Sequence, residues 1–126
     1  YQASTALPPP VVAAGIASLK ILNENPELRT DVLNKAAWLR KQVISLGFRT
    51  TSDSTPIIPL MFNAPGNARS LSLYLEDKGI IAPFVNYPVM QELHLIRITV
   101  SAAHTAEQSE VLVKMLNNWK VKHESS

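Results

Sequence analysis

Arg97 is the residue of this sequence whose type and position most clearly suggest chemistry. It lies in the run Leu-Ile-Arg-Ile-Thr-Val (95–100), where a single cation interrupts a predicted apolar strand. Burying a guanidinium costs free energy unless an anion pairs with it. The planar guanidinium can bind a carboxylate through two parallel hydrogen bonds. A small carboxylic acid is therefore a candidate ligand. The alternative is an arginine on the solvent face of a half-buried strand, and periodicity leaves both open.

The histidines and the absence of cysteine limit which catalytic and metal sites this chain could form. His104 directly precedes a predicted helix start, so we expect a hydrogen-bonded structural histidine rather than a catalyst. His94 and His123 carry still weaker signals, and the separated histidines form no metal-ligand pattern. With no cysteine, disulfides and thiolate metal sites are excluded, which fits a reducing cytoplasm.

Composition predicts one soluble globular domain. The 126 residues are 46% hydrophobic and 17% charged, which is enough apolar material for a single core but not for two domains. Twelve basic and ten acidic residues give a formal charge of +2 without a basic run, which argues against a nucleic-acid partner. No apolar stretch reaches the roughly 20 residues of a membrane span. The chain begins at Tyr1, and we expect it to be a fragment or a processed chain.

The first predicted helix follows the prolines at 8–10 and ends near 23–26. Its residues are largely apolar on every side. A free-standing domain of this size would have difficulty covering such a helix, so we expect a partner surface that this chain lacks.

Two amphipathic helices are predicted next. One runs from Pro26 to about Leu46 and the other is capped by Asn67 and ends near Lys78. In the first of these, Trp38 could be a core or an interface residue, and its large apolar ring favours the core. Arg40 is assigned to a polar face.

Short strands are predicted between and after these helices, at 48–51, 57–62, 80–85 and 94–100. Pro59 lies inside the second strand and cannot donate to a ladder, so this strand is expected at a sheet edge or beside a bulge.

The last helix is predicted to begin at Thr105, with Gln108 completing a capping box, and to give way to a polar tail from Lys120. The order of helices and strands then predicts an α+β domain, with a small, mainly antiparallel sheet covered by helices.

Four segments carry a family resemblance. They are Ser-Thr-Ala-Leu-Pro-Pro at 4–9, Asn-Pro-Glu-Leu-Arg at 25–29, Thr-Pro-Ile-Ile-Pro at 55–59, and Ile-Arg-Ile with Ser-Ala-Ala-His-Thr within 96–105. In this order they resemble the α-oxoamine synthases, which are pyridoxal-phosphate (PLP) enzymes of fold type I. That family includes 8-amino-7-oxononanoate synthase, 2-amino-3-ketobutyrate CoA ligase and serine palmitoyltransferase. The match spans nearly the whole chain but only the C-terminal third of such an enzyme.

The resemblance implies a transferase reaction in which an amino acid condenses with an acyl-CoA thioester, with PLP as cofactor. Arg97 matches the family arginine that holds the amino-acid carboxylate. Ser4 and Thr5 match the stretch that reaches the cofactor phosphate of the neighbouring subunit, although a polar turn before Pro8 explains them equally well. The Schiff-base lysine of the family has no counterpart here, so the fragment alone is expected to be inactive.

The same resemblance implies how the chain fits into a larger protein. Residues 1–126 would form the small C-terminal domain of a cytoplasmic homodimeric enzyme, and residues 1–25 would lead from a missing large domain. The 8-amino-7-oxononanoate synthase type, which makes a biotin precursor, is favoured over other members. The loop at 86–94 departs from the family pattern, so acyl-chain specificity does not transfer. The alternatives are a non-catalytic interaction module and a carboxylate-binding regulatory domain.

Overall fold

The computed structural model describes residues 7–85 and 94–124. The predicted cofactor residues Ser4 and Thr5 and most of the divergent loop therefore lie outside the described residues. Seven elements follow in the order α1 (Pro9–Glu24), α2 (Pro26–Ser45), β1 (Ile57–Phe62), α3 (Pro65–Asp77), β2 (Phe84–Val85), β3 (His94–Thr99) and α4 (Ala106–Glu124).

The strands form an antiparallel sheet in the order β1-β3-β2. Ile58 of β1 lies opposite Ile98 of β3, and Leu60 lies opposite Ile96. These four side chains are buried and share one face of the sheet, because alternate residues of a strand point to the same side. Proline at position 59 is accommodated because β1 is at the edge of the three-stranded sheet, as predicted.

Helices α2, α3 and α4 pack on that single face and complete the core. Each contributes fully or nearly fully buried apolar side chains, among them Val43, Leu71, Leu75 and Leu116. The predicted α+β class, a small antiparallel sheet covered by helices, is therefore confirmed.

Two predicted strands are shorter than expected. The segment 48–51 forms only an isolated bridge between Arg49 and Met61. The segment 80–85 pairs only at Phe84 and Val85, because the Ile80 N–H donates to Leu75 O at the end of α3 and proline at position 83 has no N–H to donate.

Helix α3 begins earlier than predicted. Pro65, not a residue after Asn67, is its first residue, since proline is favoured at the first helical position, where its missing N–H costs nothing. Asn67 therefore lies in the first turn rather than at the cap, and the capping residue is Ala64, which makes no side-chain cap. Gly79 ends the helix in the left-handed region, with a φ of 76°.

Helix α4 begins as predicted and ends later. Gln108 N–H donates to Thr105 Oγ1 at 3.2 Å and Thr105 N–H donates to Gln108 Oε1 at 3.0 Å, which is the predicted capping box. The residues from Lys120 onward do not form a polar tail but continue the helix to Glu124. Trp119 explains this, because its buried ring holds the final turns against the core.

Trp38 is not a core residue, contrary to prediction. Its position is two residues beyond the buried Ala36, about 200° further round the helix, so its ring turns away from the sheet and is 40% exposed.

Helix α1 has no buried residue among the part of the chain that the structure describes. Its large apolar side chains, including Ile16 at 63% and Leu19 at 68% exposure, face solvent. The sequence-based expectation of a further partner surface for this helix stays a prediction. None of the described helices is long and apolar enough to cross a membrane.

A buried and an exposed leucine should respond differently to truncation to alanine. Leu71 is fully buried, so Leu71→Ala should lower the free energy of unfolding by about 2–5 kcal/mol through lost burial and an unfilled cavity. Leu19→Ala, the matched exposed control, should change it by less than about 0.5 kcal/mol. Urea unfolding measures both, and equal losses would contradict this assignment of the core.

Candidate carboxylate site on the open sheet face

Arg97 lies on the face of the sheet that the helices leave uncovered. Its neighbours in β3, Ile96 and Ile98, point into the core, so strand alternation turns Arg97 to the opposite side, where it is exposed. The sequence is compatible with a buried or a solvent-facing arginine, and in the structure the Arg97 side chain faces solvent. The expectation of a guanidinium buried within this chain is therefore wrong.

The backbone holds Arg97 firmly although its side chain is exposed. Its N–H donates to Pro83 O at 3.0 Å, and it lies opposite Pro59 across the β1–β3 pair. The proline ring has no polar group that could pair with the guanidinium. Among the residues that the structure describes, no hydrogen bond or ion pair engages the Arg97 side chain.

The surface around Arg97 is largely apolar. Alternation and register place Met61, Leu95 and Val85 on the same face, each half-buried, together with Ile57, which is 45% exposed. A cation in such surroundings attracts an anion more strongly once water is excluded, because the effective dielectric constant falls. This face can therefore bind a carboxylate when another surface covers it.

Arg40 is a second arginine, and its role was missed by sequence analysis. It was assigned to a polar face of α2, but it is only 7% exposed. It lies four residues after Ala36 and three before Val43, both buried, so the helical repeat places it on the core side. That spacing is the signal that could have identified it.

The Arg40 guanidinium fastens the segment before β1 to helix α2. Its Nη2 donates to Asp53 Oδ1 at 3.1 Å, to Thr55 O at 3.1 Å and to Ile57 O at 2.9 Å. Because Ile57 is the first residue of β1, these bonds fix where the strand begins. The register of β1 in turn sets which residues lie opposite β3 and Arg97.

Asp53 is kept in its charged form. The hydroxyl of Thr51, then the hydroxyl and N–H of Thr55, and the nearby Arg40 charge all lower the pKa of the Asp53 carboxyl from its ordinary value. The carboxylate is thus available to Arg40 throughout the neutral range. Its contribution to folding is present above the ordinary aspartate pKa and is lost as the pH falls through the lowered value.

The histidines are structural. His104 Nδ1 accepts a hydrogen bond from the Ser101 N–H at 3.0 Å, which closes the turn before α4 and agrees with the predicted structural role. His94 stacks on Phe84, and His123 stacks on Trp119. Within residues 7–85 and 94–124, no cluster of histidine and acidic side chains could hold a metal ion.

Arg97 is the described residue of the predicted site that could pair with an anion. Its exposed guanidinium has the geometry to bind a carboxylate through two hydrogen bonds. The residues predicted to reach the cofactor phosphate, Ser4 and Thr5, lie outside the described part of the chain, so their role stays a prediction.

With this geometry in place, the comparisons define the class of protein. Residues 1–116 match the family "Aminotransferase class I and II", and the chain belongs to that family. The family is PLP-dependent, and the relatives described next confirm the resemblance to the α-oxoamine synthases.

The chain is similar in sequence to 8-amino-7-oxononanoate synthases. It is 35% identical over 90% of its length to a putative 8-amino-7-oxononanoate synthase of Acetivibrio thermocellus. It is 36% identical over 88% of its length to the Thermoanaerobacter pseudethanolicus enzyme of that name. The chain spans 29% and 28% of the lengths of these two relatives.

Solved structures share the fold. A serine palmitoyltransferase of Sphingomonas wittichii superposes with a TM-score of 0.83 at 22% identity, over 94% of this chain and 31% of its own. An 8-amino-7-oxononanoate synthase of Francisella tularensis gives a TM-score of 0.79 at 22% identity, over 97% of this chain and 36% of its own. The predicted relation to PLP fold type I enzymes is therefore confirmed.

Removal of the Arg40 guanidinium should destabilise the protein. Arg40→Ala leaves two carbonyl groups and Asp53 without their buried donor, so the free energy of unfolding should fall by about 1–3 kcal/mol. Lys41→Ala, at the exposed neighbouring position, should have almost no effect. Urea unfolding of both variants measures the difference. An unchanged midpoint for Arg40→Ala would show that the Arg40 guanidinium does not contribute to stability.

Proposed function

We propose that this chain is the small C-terminal domain of a larger PLP-dependent acyltransferase. The whole enzyme would condense an amino acid with an acyl-CoA thioester, as an 8-amino-7-oxononanoate synthase does. Residues 1–126 would form the domain, with residues 1–25 leading from a large domain that supplies the catalytic lysine. On its own the chain would be inactive.

The observation that carries this proposal is the state of Arg97. A substrate-binding arginine must be held in place, must be reachable and must not be neutralised by its own chain. Arg97 meets these conditions, because its strand is paired on both sides and its side chain is exposed without a partner among the described residues. The contrast with Arg40, whose bonds are internal, supports a ligand as the missing partner.

Sequence similarity supports the same substrate class. The relatives named above cover nearly the whole chain. The family resemblance of the sequence implies that Arg97 corresponds to the arginine that binds the amino-acid carboxylate. Because the chain spans less than a third of these relatives, the activity belongs to the proposal for the whole protein.

Arg97 would act by binding and orienting the amino acid. Two parallel hydrogen bonds to the carboxylate fix the substrate's rotation, and with it the direction of the bond at Cα that must break. Bound PLP supplies the electron sink for that step. Ser4 and Thr5 would donate hydrogen bonds to the cofactor phosphate of the neighbouring subunit in a homodimer.

The apolar surroundings of Arg97 would be covered in the whole enzyme. The half-buried Met61 and Leu95 would then exclude water from the arginine–carboxylate pair, which strengthens it. Helix α1 would likewise pack on the large domain.

Substitution of Arg97 tests the proposal in the full-length protein. Arg97→Ala removes charged hydrogen bonds worth about 1.5–3 kcal/mol, so the KM for the amino acid should rise at least about tenfold. PLP content, followed by absorbance, should be unchanged. Arg97→Lys should recover only part of the loss, because a single ammonium cannot form the fork.

Arg29→Ala is the matched control, since Arg29 is exposed on α2 and has no described partner. It should leave the KM unaltered. An unchanged KM in Arg97→Ala would remove Arg97 from the site. A full-length protein that releases no CoA from any thioester and amino acid tested would favour the non-catalytic alternative.

A further inference from the structure

Thr99 carries a hydroxyl on the same open face of the sheet as Arg97. It lies two residues further along β3, and the alternation that turns Ile98 into the core turns Thr99 outward, where it is exposed. The other described strand residues on this face have apolar side chains. They are Ile57, Pro59, Met61, Val85 and Leu95. The proposed function uses Arg97 and gives Thr99 no role.

The backbone at Thr99 is held in place. Thr99 lies opposite Ile57 in the β1–β3 pair, and the next residue, Val100, donates its N–H to Pro56 O at 2.9 Å. The carbonyl of Ile57 accepts from Arg40 Nη2 at 2.9 Å, which fixes the opposite strand. A β-branched side chain has few rotamers, so its oxygen occupies few positions. The fold therefore positions this hydroxyl, although no hydrogen bond within residues 7–85 and 94–124 engages it.

A carboxylate bound to Arg97 needs more donors than the guanidinium supplies. Its two oxygens offer about four lone-pair sites, and the two parallel hydrogen bonds of the guanidinium use only part of them. In water the remaining sites are hydrated. When the rest of the enzyme covers this face, each remaining site needs a protein donor, because a buried charge without its hydrogen bonds costs free energy.

We propose that the Thr99 hydroxyl donates a hydrogen bond to the amino-acid carboxylate that Arg97 binds. Because this role takes Arg97 as the carboxylate-binding residue, it rests on the proposed function. Residues two apart in a strand have Cα atoms about 7 Å apart, and a long arginine side chain can span that distance. A carboxylate held between the two side chains is within reach of both. Thr99 then helps to fix the direction of the bond at Cα that must break.

Two substitutions in the full-length protein separate the hydroxyl from the shape of the side chain. Thr99→Val keeps the branched shape that favours a strand and removes the hydroxyl. It should raise the KM for the amino acid about tenfold, as expected for a lost hydrogen bond to a charged group. Thr99→Ser keeps the hydroxyl and should leave the KM close to that of the unmodified protein. The KM for the thioester, the PLP content and thermal unfolding should be unchanged in both.

Thr30→Val is the matched control, since Thr30 is exposed on α2 and its hydroxyl is remote from the sheet. It should leave the KM for the amino acid unaltered. A purely structural role for Thr99 would shift thermal unfolding rather than this KM.

A double substitution tests whether the two side chains bind one carboxylate. If they do, Thr99→Val should lower kcat/KM for the amino acid less in the Arg97→Ala protein than in the unmodified protein, because residues that share a partner are not additive. Equal losses in the two proteins would show that the residues act independently and would overturn the proposal.

The roles of Arg97 and Thr99 fail in distinguishable ways. If Arg97→Ala raises the KM and Thr99→Val, with unchanged thermal unfolding, does not, the role of Thr99 is overturned and that of Arg97 stands. Equal increases in Thr99→Ser and Thr99→Val would also overturn it, because the hydroxyl would not be the cause. If Arg97→Ala leaves the KM unaltered, the roles of both residues are overturned.

Discussion

The antiparallel pairing of β1 with β3 is the constraint on which the rest of the structure depends. It aligns Ile58 and Leu60 with Ile98 and Ile96, and the helices close over these four side chains. A shift of one residue would turn every side chain of a strand to the other face and carry Arg97 into the core. The hydrophobic pattern of two short strands therefore decides that a cation faces outward, on a surface without covering helices.

The two arginines on either side of this sheet differ in what their guanidinium groups contact. Arg40 is buried and donates to a carboxylate and two carbonyl groups of its own chain, so its hydrogen bonds are used in folding. Arg97 is held equally well by its backbone, but its guanidinium has no partner among the described residues. The proposed role of Arg97 as a carboxylate-binding residue depends on this difference.

Much of the fold followed from local patterns. Strand β1, the start of α2 and the Thr105 capping box were predicted correctly, because each depends on neighbours a few residues apart. The errors arose where tertiary contacts decide. The packing of Trp119 extends α4 beyond its predicted end. The N–H of Ile80 donates to a carbonyl of the final turn of α3 and therefore does not pair with a strand.

The candidate site was predictable only in part. The residue type and the strand identified Arg97, and the alternation of Ile96, Ile98 and Val100 with Arg97 and Thr99 favours an outward-facing side chain. The packing of the helices on only one face of the sheet is a tertiary feature that this pattern does not contain. The charge of Arg40 predicted an exposed position, although its spacing from Ala36 and Val43 indicated burial. Charge alone is a poor guide to exposure when a carboxylate such as Asp53 lies close in the fold.

The most direct test of the central claim is a crystal structure of the full-length protein with its amino-acid substrate bound. The account predicts the substrate carboxylate within about 2.7–2.9 Å of two Arg97 guanidinium nitrogens, with the open sheet face covered by the rest of the protein. A carboxylate bound elsewhere, with Arg97 paired to an acidic side chain of the protein or directed into solvent, would contradict it.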